Sequence, residues 1–145
     1  SNGQLIISGK NIHLEKFGNV LKQKKIKNIK LPVSAPFHCE LMRSATIKMK
    51  NLINNENIKY PNFKVVSNVT AKEYKDKEEI KELLIKQIEN RVRWRESVNN
   101  MIKREENKFI EIGPGKVLSG LVKRINNKVM ISSINTEEDI KKITI

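Results

Sequence analysis

Near the C-terminal end of the chain, a strand-like segment, a glycine-rich turn and an amphipathic helix follow one another. Residues 109–112 are mainly apolar and run into a tight turn formed by Gly113, Pro114 and Gly115. Apolar side chains then recur at helical spacing, at Val117, Leu118, Leu121, Val122 and Ile125. A second strand-like segment, residues 129–131, comes after this helix. A strand, a helix and a strand in succession predict two parallel strands joined by a helical crossover.

The same alternation runs through the rest of the chain. Further strand-like segments lie at residues 5–8, 31–33 and 63–66. Helical spacing of apolar side chains covers residues 12–21, 41–53, 80–88 and 94–102. Thr136, followed by acidic residues, predicts the N-cap of a short terminal helix. We therefore expect an α/β protein with mainly parallel strands.

The formal net charge is +13, from 29 basic and 16 acidic residues. Such a charge is typical of proteins that bind nucleic acids or membrane surfaces. Lysine, however, outnumbers arginine by 23 to 6, and isoleucine and asparagine are also abundant, at 20 and 17 residues. All three abundant residues have AT-rich codons, so codon bias alone can produce this charge. Aromatic residues are few, at 5%, whereas nucleic-acid binding favours arginine and interleaved aromatics.

The sequence also limits the compartment. No apolar stretch approaches the ~20 residues that a membrane span requires, and no apolar leader segment opens the chain. The single cysteine, Cys39, excludes an internal disulfide and a cysteine-built zinc site. We therefore expect a reducing, cytoplasmic environment and no membrane partner.

His38 is the first candidate for chemistry. It follows Pro36 in a turn directly before a helix, where a rigidly held neutral imidazole can act as a general base. Cys39 is adjacent, but neighbouring side chains at a helix start point in different directions, which favours an inert thiol.

The turn from Gly113 to Lys116 admits two interpretations, an anion-binding loop or a structural turn that needs glycine. Gln87 is a polar residue on an otherwise apolar helix face.

Five blocks of this sequence occur in the order seen in malonyl-CoA:acyl carrier protein transacylases. They are residues 3–9, 31–42, 65–70, 91–98 and 111–121. The His38 turn and the stretch Glu-Ile-Gly-Pro-Gly-Lys-Val-Leu are the most specific of them, and the resemblance runs from about residue 3 to residue 135.

The resemblance implies a two-part fold and an incomplete active site. Residues 1–33 would form part of a ferredoxin-like small subdomain, and residues 34–145 the C-terminal strands and helices of an α/β-hydrolase-like acyltransferase domain. The family's nucleophile lies in a Gly-His-Ser-x-Gly elbow, and that motif does not occur here. The chain thus resembles the C-terminal half of the enzyme and lacks the nucleophile, so we expect it to be inactive in isolation.

The resemblance also implies roles for individual residues. His38 matches the catalytic histidine, Gln87 the residue whose backbone carbonyl orients that histidine, and Phe37 a residue of the substrate pocket. The expected substrates are malonyl-CoA and acyl carrier protein, whose phosphopantetheine thiol accepts the malonyl group, with no metal or other cofactor. Acyl carrier protein is acidic, so exposed basic residues are candidate docking sites. They are Lys24, Lys25, Lys27, Lys116, Lys123 and Arg124.

Two other classes of function compete with this enzyme. The strand, helix and strand predicted over residues 5–33 match half of an RNA-recognition fold, so a small basic nucleic-acid-binding module is one alternative. The other is a non-catalytic fragment that works only by complementation.

Overall fold

A computed structural model of the chain describes residues 3–142. They fall into two compact units. The first unit is Ile6–Val92, and the second combines the segment up to Leu5 with the segment from Arg93 onward. The division predicted between residues 33 and 34 lies inside the first unit, so the assignment of 1–33 and 34–145 to two family subdomains stays a prediction.

The first unit is largely helical. Its elements are α1 (Asn11–Gln23), a single 3₁₀ turn (Glu40–Met42), α2 (Arg43–Asn55) and α3 (Lys77–Lys86). Helix α2 packs against α3, which buries Ile80 and Leu83. The apolar spacing over residues 80–88 is explained by this burial. Helix α2 has no buried residue, and Met49 and Leu52 of its apolar stripe are 41% and 60% exposed.

The start of α3 is fixed by reciprocal hydrogen bonds. Asp76 is the N-cap, and its carboxylate accepts from the Glu79 backbone N–H at 2.7 Å. The Glu79 carboxylate in turn accepts from the Lys75 backbone N–H at 2.7 Å. The Glu79 amide, which the helix start would otherwise leave unpaired, is thereby satisfied, and the Glu79 side chain holds the residue before the N-cap. Together these bonds fix where α3 begins.

A tight loop precedes α3. Val66 and Glu73 form an isolated antiparallel bridge, and Ser67 and Ala71 are buried inside the loop. The Ala71 backbone N–H donates to the Ser67 carbonyl at 2.9 Å. Ala71 has a φ of 57°, a left-handed conformation, which turns the chain so that the Lys72 carbonyl accepts from the Ser67 N–H at 2.9 Å. The loop is therefore closed by its own backbone.

The second unit contains the predicted crossover. Its elements are α4 (Trp94–Ile102), β1 (Lys108–Ile112), α5 (Val117–Ile125), β2 (Met130–Ile134) and α6 (Glu137–Lys142). Strands β1 and β2 are parallel, with Lys108 opposite Met130 and Ile112 opposite Ile134. Helix α5 contacts both strands and α4, burying Val122, while Val98 of α4 is fully buried. The α/β class and the parallel crossover are confirmed.

Three of the predicted strands are wrong. Within residues 3–142, residues 5–8 and 31–33 are irregular, and residues 63–66 contribute only the single bridge of Val66. Leu5 and Ile6 are 81% and 66% exposed. A strand exists only where a neighbour pairs with its backbone, and the described part of the chain supplies none for these segments. The half RNA-recognition fold that one alternative function requires is therefore not formed here.

The terminal helix follows its prediction. The Thr136 hydroxyl accepts from the Asp139 backbone N–H at 3.3 Å, and the Asp139 carboxylate accepts from the Thr136 N–H at 2.9 Å. The pKa of Asp139 is lowered by the hydrogen bonds that its carboxylate accepts, first from the Asn135 backbone N–H and then from Thr136. None of the helices described between residues 3 and 142 is long and apolar enough to cross a bilayer.

Candidate functional site

His38 lies in a turn with an unusual backbone conformation. Its φ is 64°, in the left-handed region, where a residue with a side chain is held at a cost of about 1–3 kcal/mol. The preceding turn is closed by the Phe37 N–H, which donates to the Ala35 carbonyl at 2.9 Å. The 3₁₀ turn and α2 follow directly, with the Met42 N–H donating to the Cys39 carbonyl at 2.9 Å. The surrounding structure therefore maintains His38 in a strained conformation.

The imidazole of His38 contacts the end of α3. Its Nδ1 lies 2.8 Å from the backbone carbonyl oxygen of Gln87, 49 residues further along the chain. A carbonyl can only accept a hydrogen bond, so Nδ1 carries the proton. In the neutral ring Nε2 is then the unprotonated nitrogen, which is the atom that can accept a proton from a substrate or a nucleophile.

The Gln87 carbonyl accepts this bond because of its place in the helix. Gln87 is the C-cap of α3, and the last carbonyls of a helix have no intrahelical donor. A helix end thus orients the His38 ring through a carbonyl that the helix itself leaves unpaired.

Two further contacts hold the loop that follows α3. The Asn68 side-chain amide donates to the Gln87 side-chain carbonyl at 3.3 Å. Arg43, at the start of α2, forms an ion pair with Glu89 at 3.4 Å. No local pattern predicts either pair, because the partners lie 19 and 46 residues apart.

Cys39 does not pair with His38. Its thiol donates to the Pro36 carbonyl at 3.1 Å, within its own turn, and the side chain is half-buried. The hydrogen bond of the His38 ring goes to Gln87 instead. The geometry therefore agrees with the interpretation of the cysteine as a bystander.

Phe37, the predicted pocket residue, is about half exposed and stands directly before His38. Its backbone carbonyl accepts a hydrogen bond from the Ser8 hydroxyl at 2.6 Å. Its role in substrate selection stays a prediction.

The turn from Gly113 to Lys116 is structural. Both glycines have positive φ, 136° at Gly113 and 92° at Gly115. The start of α5 is already occupied by the Glu111 carboxylate, which accepts from the backbone N–H groups of Leu118 at 3.0 Å and Ser119 at 2.7 Å. A carboxylate in this position repels a second anion, so the turn is not a phosphate site.

These contacts change the acidity of Glu111. The hydrogen bond from the Ser119 side chain, followed by that from the Ser119 backbone, lowers the pKa of its carboxyl below the ordinary value. Glu111 was not among the predicted site residues, although a carboxylate inside an apolar strand, directly before the glycine turn and a helix, was a usable signal.

The predicted docking residues are all exposed and lie in two groups. Lys24, Lys25 and Lys27 follow α1 in the first unit. Lys116, Lys123 and Arg124 belong to α5 and its N-cap in the second unit, where Arg124 donates to the Gln4 side chain at 2.9 Å.

Within residues 3–142 no three His, Cys, Asp or Glu side chains form a group that would hold a metal ion.

The chain is similar over nearly its whole length to malonyl CoA-acyl carrier protein transacylases. It is 42% identical over 140 residues to the enzyme of Bacillus subtilis strain 168 and 39% identical over 142 residues to that of Staphylococcus aureus strain COL. Each alignment covers 96% of this chain but only 44% and 46% of the relative. The chain thus spans less than half the length of the curated relatives it matches. No protein-family model matches it.

Solved structures agree with this similarity. A malonyl-transacylase in complex with its type II PKS acyl-carrier protein has a TM-score of 0.87 at 35% identity, covering 92% of this chain and 44% of that one. The transacylase of Clostridium perfringens has a TM-score of 0.86 at 38% identity, with coverages of 92% and 42%. The resemblance predicted from the five sequence blocks is confirmed. The structure also contains the hydrogen bond between the His38 ring and the Gln87 carbonyl.

The first prediction concerns Glu111 and pH. In this protein, Glu111→Gln should lower the thermal unfolding midpoint at neutral pH, because the ionised carboxylate caps α5. The folded-state pKa is depressed, so the stabilisation is present above the ordinary glutamate pKa of about 4.3 and is lost as pH falls through the lower folded value. Glu106→Gln, an exposed change in the same unit, is the control. Equal midpoints for Glu111→Gln and the native protein at neutral pH would contradict the capping role.

The second prediction concerns the His38 tautomer. In ¹⁵N NMR of the neutral imidazole, Nδ1 should carry the proton and Nε2 should have the shift of an unprotonated nitrogen. Gln87→Ala should leave this pattern in place, because the substitution keeps the backbone carbonyl. A proton on Nε2 of the neutral ring would contradict the assignment.

Proposed function

We propose that this chain, similar over nearly its whole length to malonyl CoA-acyl carrier protein transacylases, is the C-terminal part of such an enzyme and supplies its histidine base. The observation that carries the proposal is the 2.8 Å contact of His38 Nδ1 with the Gln87 carbonyl, which leaves Nε2 as a proton acceptor. The 39–42% identity to transacylases supports malonyl transfer as the reaction.

In the first half-reaction a serine hydroxyl attacks the thioester carbonyl of malonyl-CoA. A serine hydroxyl is a weak nucleophile, and Nε2 of His38 activates it by taking its proton as the C–O bond forms. The tetrahedral intermediate collapses with cleavage of the C–S bond, and the imidazolium returns the proton to the CoA thiolate. We assign the serine to a Gly-His-Ser-x-Gly elbow in the rest of the enzyme, because the sequence of this chain contains no such motif.

In the second half-reaction the phosphopantetheine thiol of acyl carrier protein attacks the malonyl-serine ester. His38 takes the thiol proton and returns it to the serine oxygen as the ester bond breaks. Both steps use one base and one nucleophile, so ping-pong kinetics follow. The two steps balance without a metal, an oxidant or a reductant. One solved relative is a complex with an acyl-carrier protein, which supports this partner.

The finer assignments belong to the same proposal. We assign residues 1–33 to the ferredoxin-like small subdomain and residues 34–145 to the hydrolase-like acyltransferase domain, in the cytoplasm. The parallel strands β1 and β2 with the crossover helix α5 support the second assignment. We assign to Phe37, which is next to His38 and half exposed, the role of crowding an α-branched acyl group and so favouring malonyl over methylmalonyl.

The third prediction tests the base. In the full-length enzyme, His38→Ala should lower kcat for malonyl transfer by roughly two to four orders of magnitude, the range for loss of a general base. Circular dichroism should remain native, since His38 is an exposed turn residue. The chain expressed alone should show no transfer above background.

Cys39→Ser is the matched control for this variant, since it changes the neighbouring residue and keeps a polar side chain of similar size. Its activity should stay within a few-fold of native. The proposed function is wrong if His38→Ala with a native spectrum keeps near-native turnover, or if Cys39→Ser is the inactive variant.

The fourth prediction concerns docking of the acidic carrier protein. Replacing Lys24, Lys25 and Lys27 together by Glu should raise KM for acyl carrier protein roughly three- to tenfold at low salt and leave KM for malonyl-CoA unchanged. Opposite charges accelerate encounter over distances of about 8–10 Å, so the effect should shrink as salt rises.

The control for this variant reverses three other exposed lysines of the same unit, Lys50, Lys59 and Lys72, and thus makes the same change in net charge. An equal rise in KM for both triple variants would show a general charge effect and would exclude a docking site at residues 24–27.

A further inference from the structure

Ser8 contacts the turn that presents His38. Its hydroxyl donates to the Phe37 backbone carbonyl at 2.6 Å, across 29 residues of sequence. That carbonyl belongs to the peptide group joining Phe37 to His38. Within the described residues the segment around Ser8 forms no strand. Pairing of its backbone with a neighbouring strand therefore does not explain why Ser8 lies beside the His38 turn.

The contact acts on the bond that sets the His38 conformation. The torsion φ of His38 describes rotation between the Phe37–His38 peptide plane and the rest of His38. The Ser8 hydroxyl fixes the oxygen of that plane, and the Gln87 carbonyl fixes the ring through Nδ1. Between these two anchors His38 holds a φ of 64°, which a residue with a side chain rarely adopts.

We propose that Ser8 is a positioning residue that aims Nε2 of His38 by anchoring the Phe37 carbonyl. The inference rests on the proposed function and adds to it a residue outside the catalytic pair. Without the Ser8 hydrogen bond, the turn relaxes towards negative φ, the ring rotates and the Nδ1 contact with Gln87 lengthens. A displacement of about 1 Å at a general base costs up to about a hundredfold in rate.

The test uses an isosteric pair of variants in the full-length enzyme. Ser8→Thr keeps the hydroxyl, whereas Ser8→Val has nearly the same shape as threonine and donates no hydrogen bond. Ser8→Val should lower kcat by about 10- to 100-fold with KM for malonyl-CoA within twofold, because Ser8 is placed to act on the base and not on the substrate. Ser8→Thr should stay within threefold of native, and Ser34→Ala, in an exposed serine of the same turn region, should match native.

A second readout is independent of turnover. In NMR of the same proteins, the Nδ1 proton of His38 should exchange with solvent faster in Ser8→Val than in Ser8→Thr. The positioning role is wrong if the two variants have equal kcat and equal exchange, or if kcat and the unfolding midpoint fall together in both. A native kcat in His38→Ala would instead show that the proposed function is wrong. The comparison of Nδ1 proton exchange would still decide whether Ser8 anchors the ring.

Discussion

The hydrogen bond from His38 Nδ1 to the Gln87 carbonyl is the interaction on which the proposed chemistry depends. Its two ends belong to segments that pack against each other. His38 lies just before the 3₁₀ turn and α2, and Gln87 ends α3, which α2 contacts. The packing of two helices therefore sets the distance between the imidazole and its acceptor.

This arrangement needs no third acidic side chain. In a Ser-His-Asp triad a carboxylate holds the imidazole in one tautomer and stabilises its charged form. A helix C-terminus offers the first of these effects through an unpaired carbonyl, which accepts the hydrogen bond of Nδ1. The caps of Asp76 and Glu79 fix where α3 starts.

Much of the fold follows from local sequence, and the parts that do not are non-local. Helical spacing predicted α4 and α5, and apolar runs flanked by turns predicted β1 and β2, because these patterns report burial on one face. Residues 5–8 and 31–33 have the same apolar character, but a strand needs a paired neighbour and a short pattern cannot supply one. The pairing of His38 with the Gln87 carbonyl was predicted only from the family resemblance. The left-handed φ of His38 and its contact with Ser8 depend on residues distant in sequence, which spacing cannot reveal.

The most direct measurement is a crystal structure of the proposed transacylase of which this chain would be the C-terminal part. We expect Nε2 of His38 to lie about 2.6–3.2 Å from the hydroxyl of a serine in a strand-to-helix elbow, with Nδ1 still hydrogen-bonded to the Gln87 carbonyl. An imidazole turned away from every serine hydroxyl, or an Nδ1 bonded to a carboxylate in place of the Gln87 carbonyl, would contradict it.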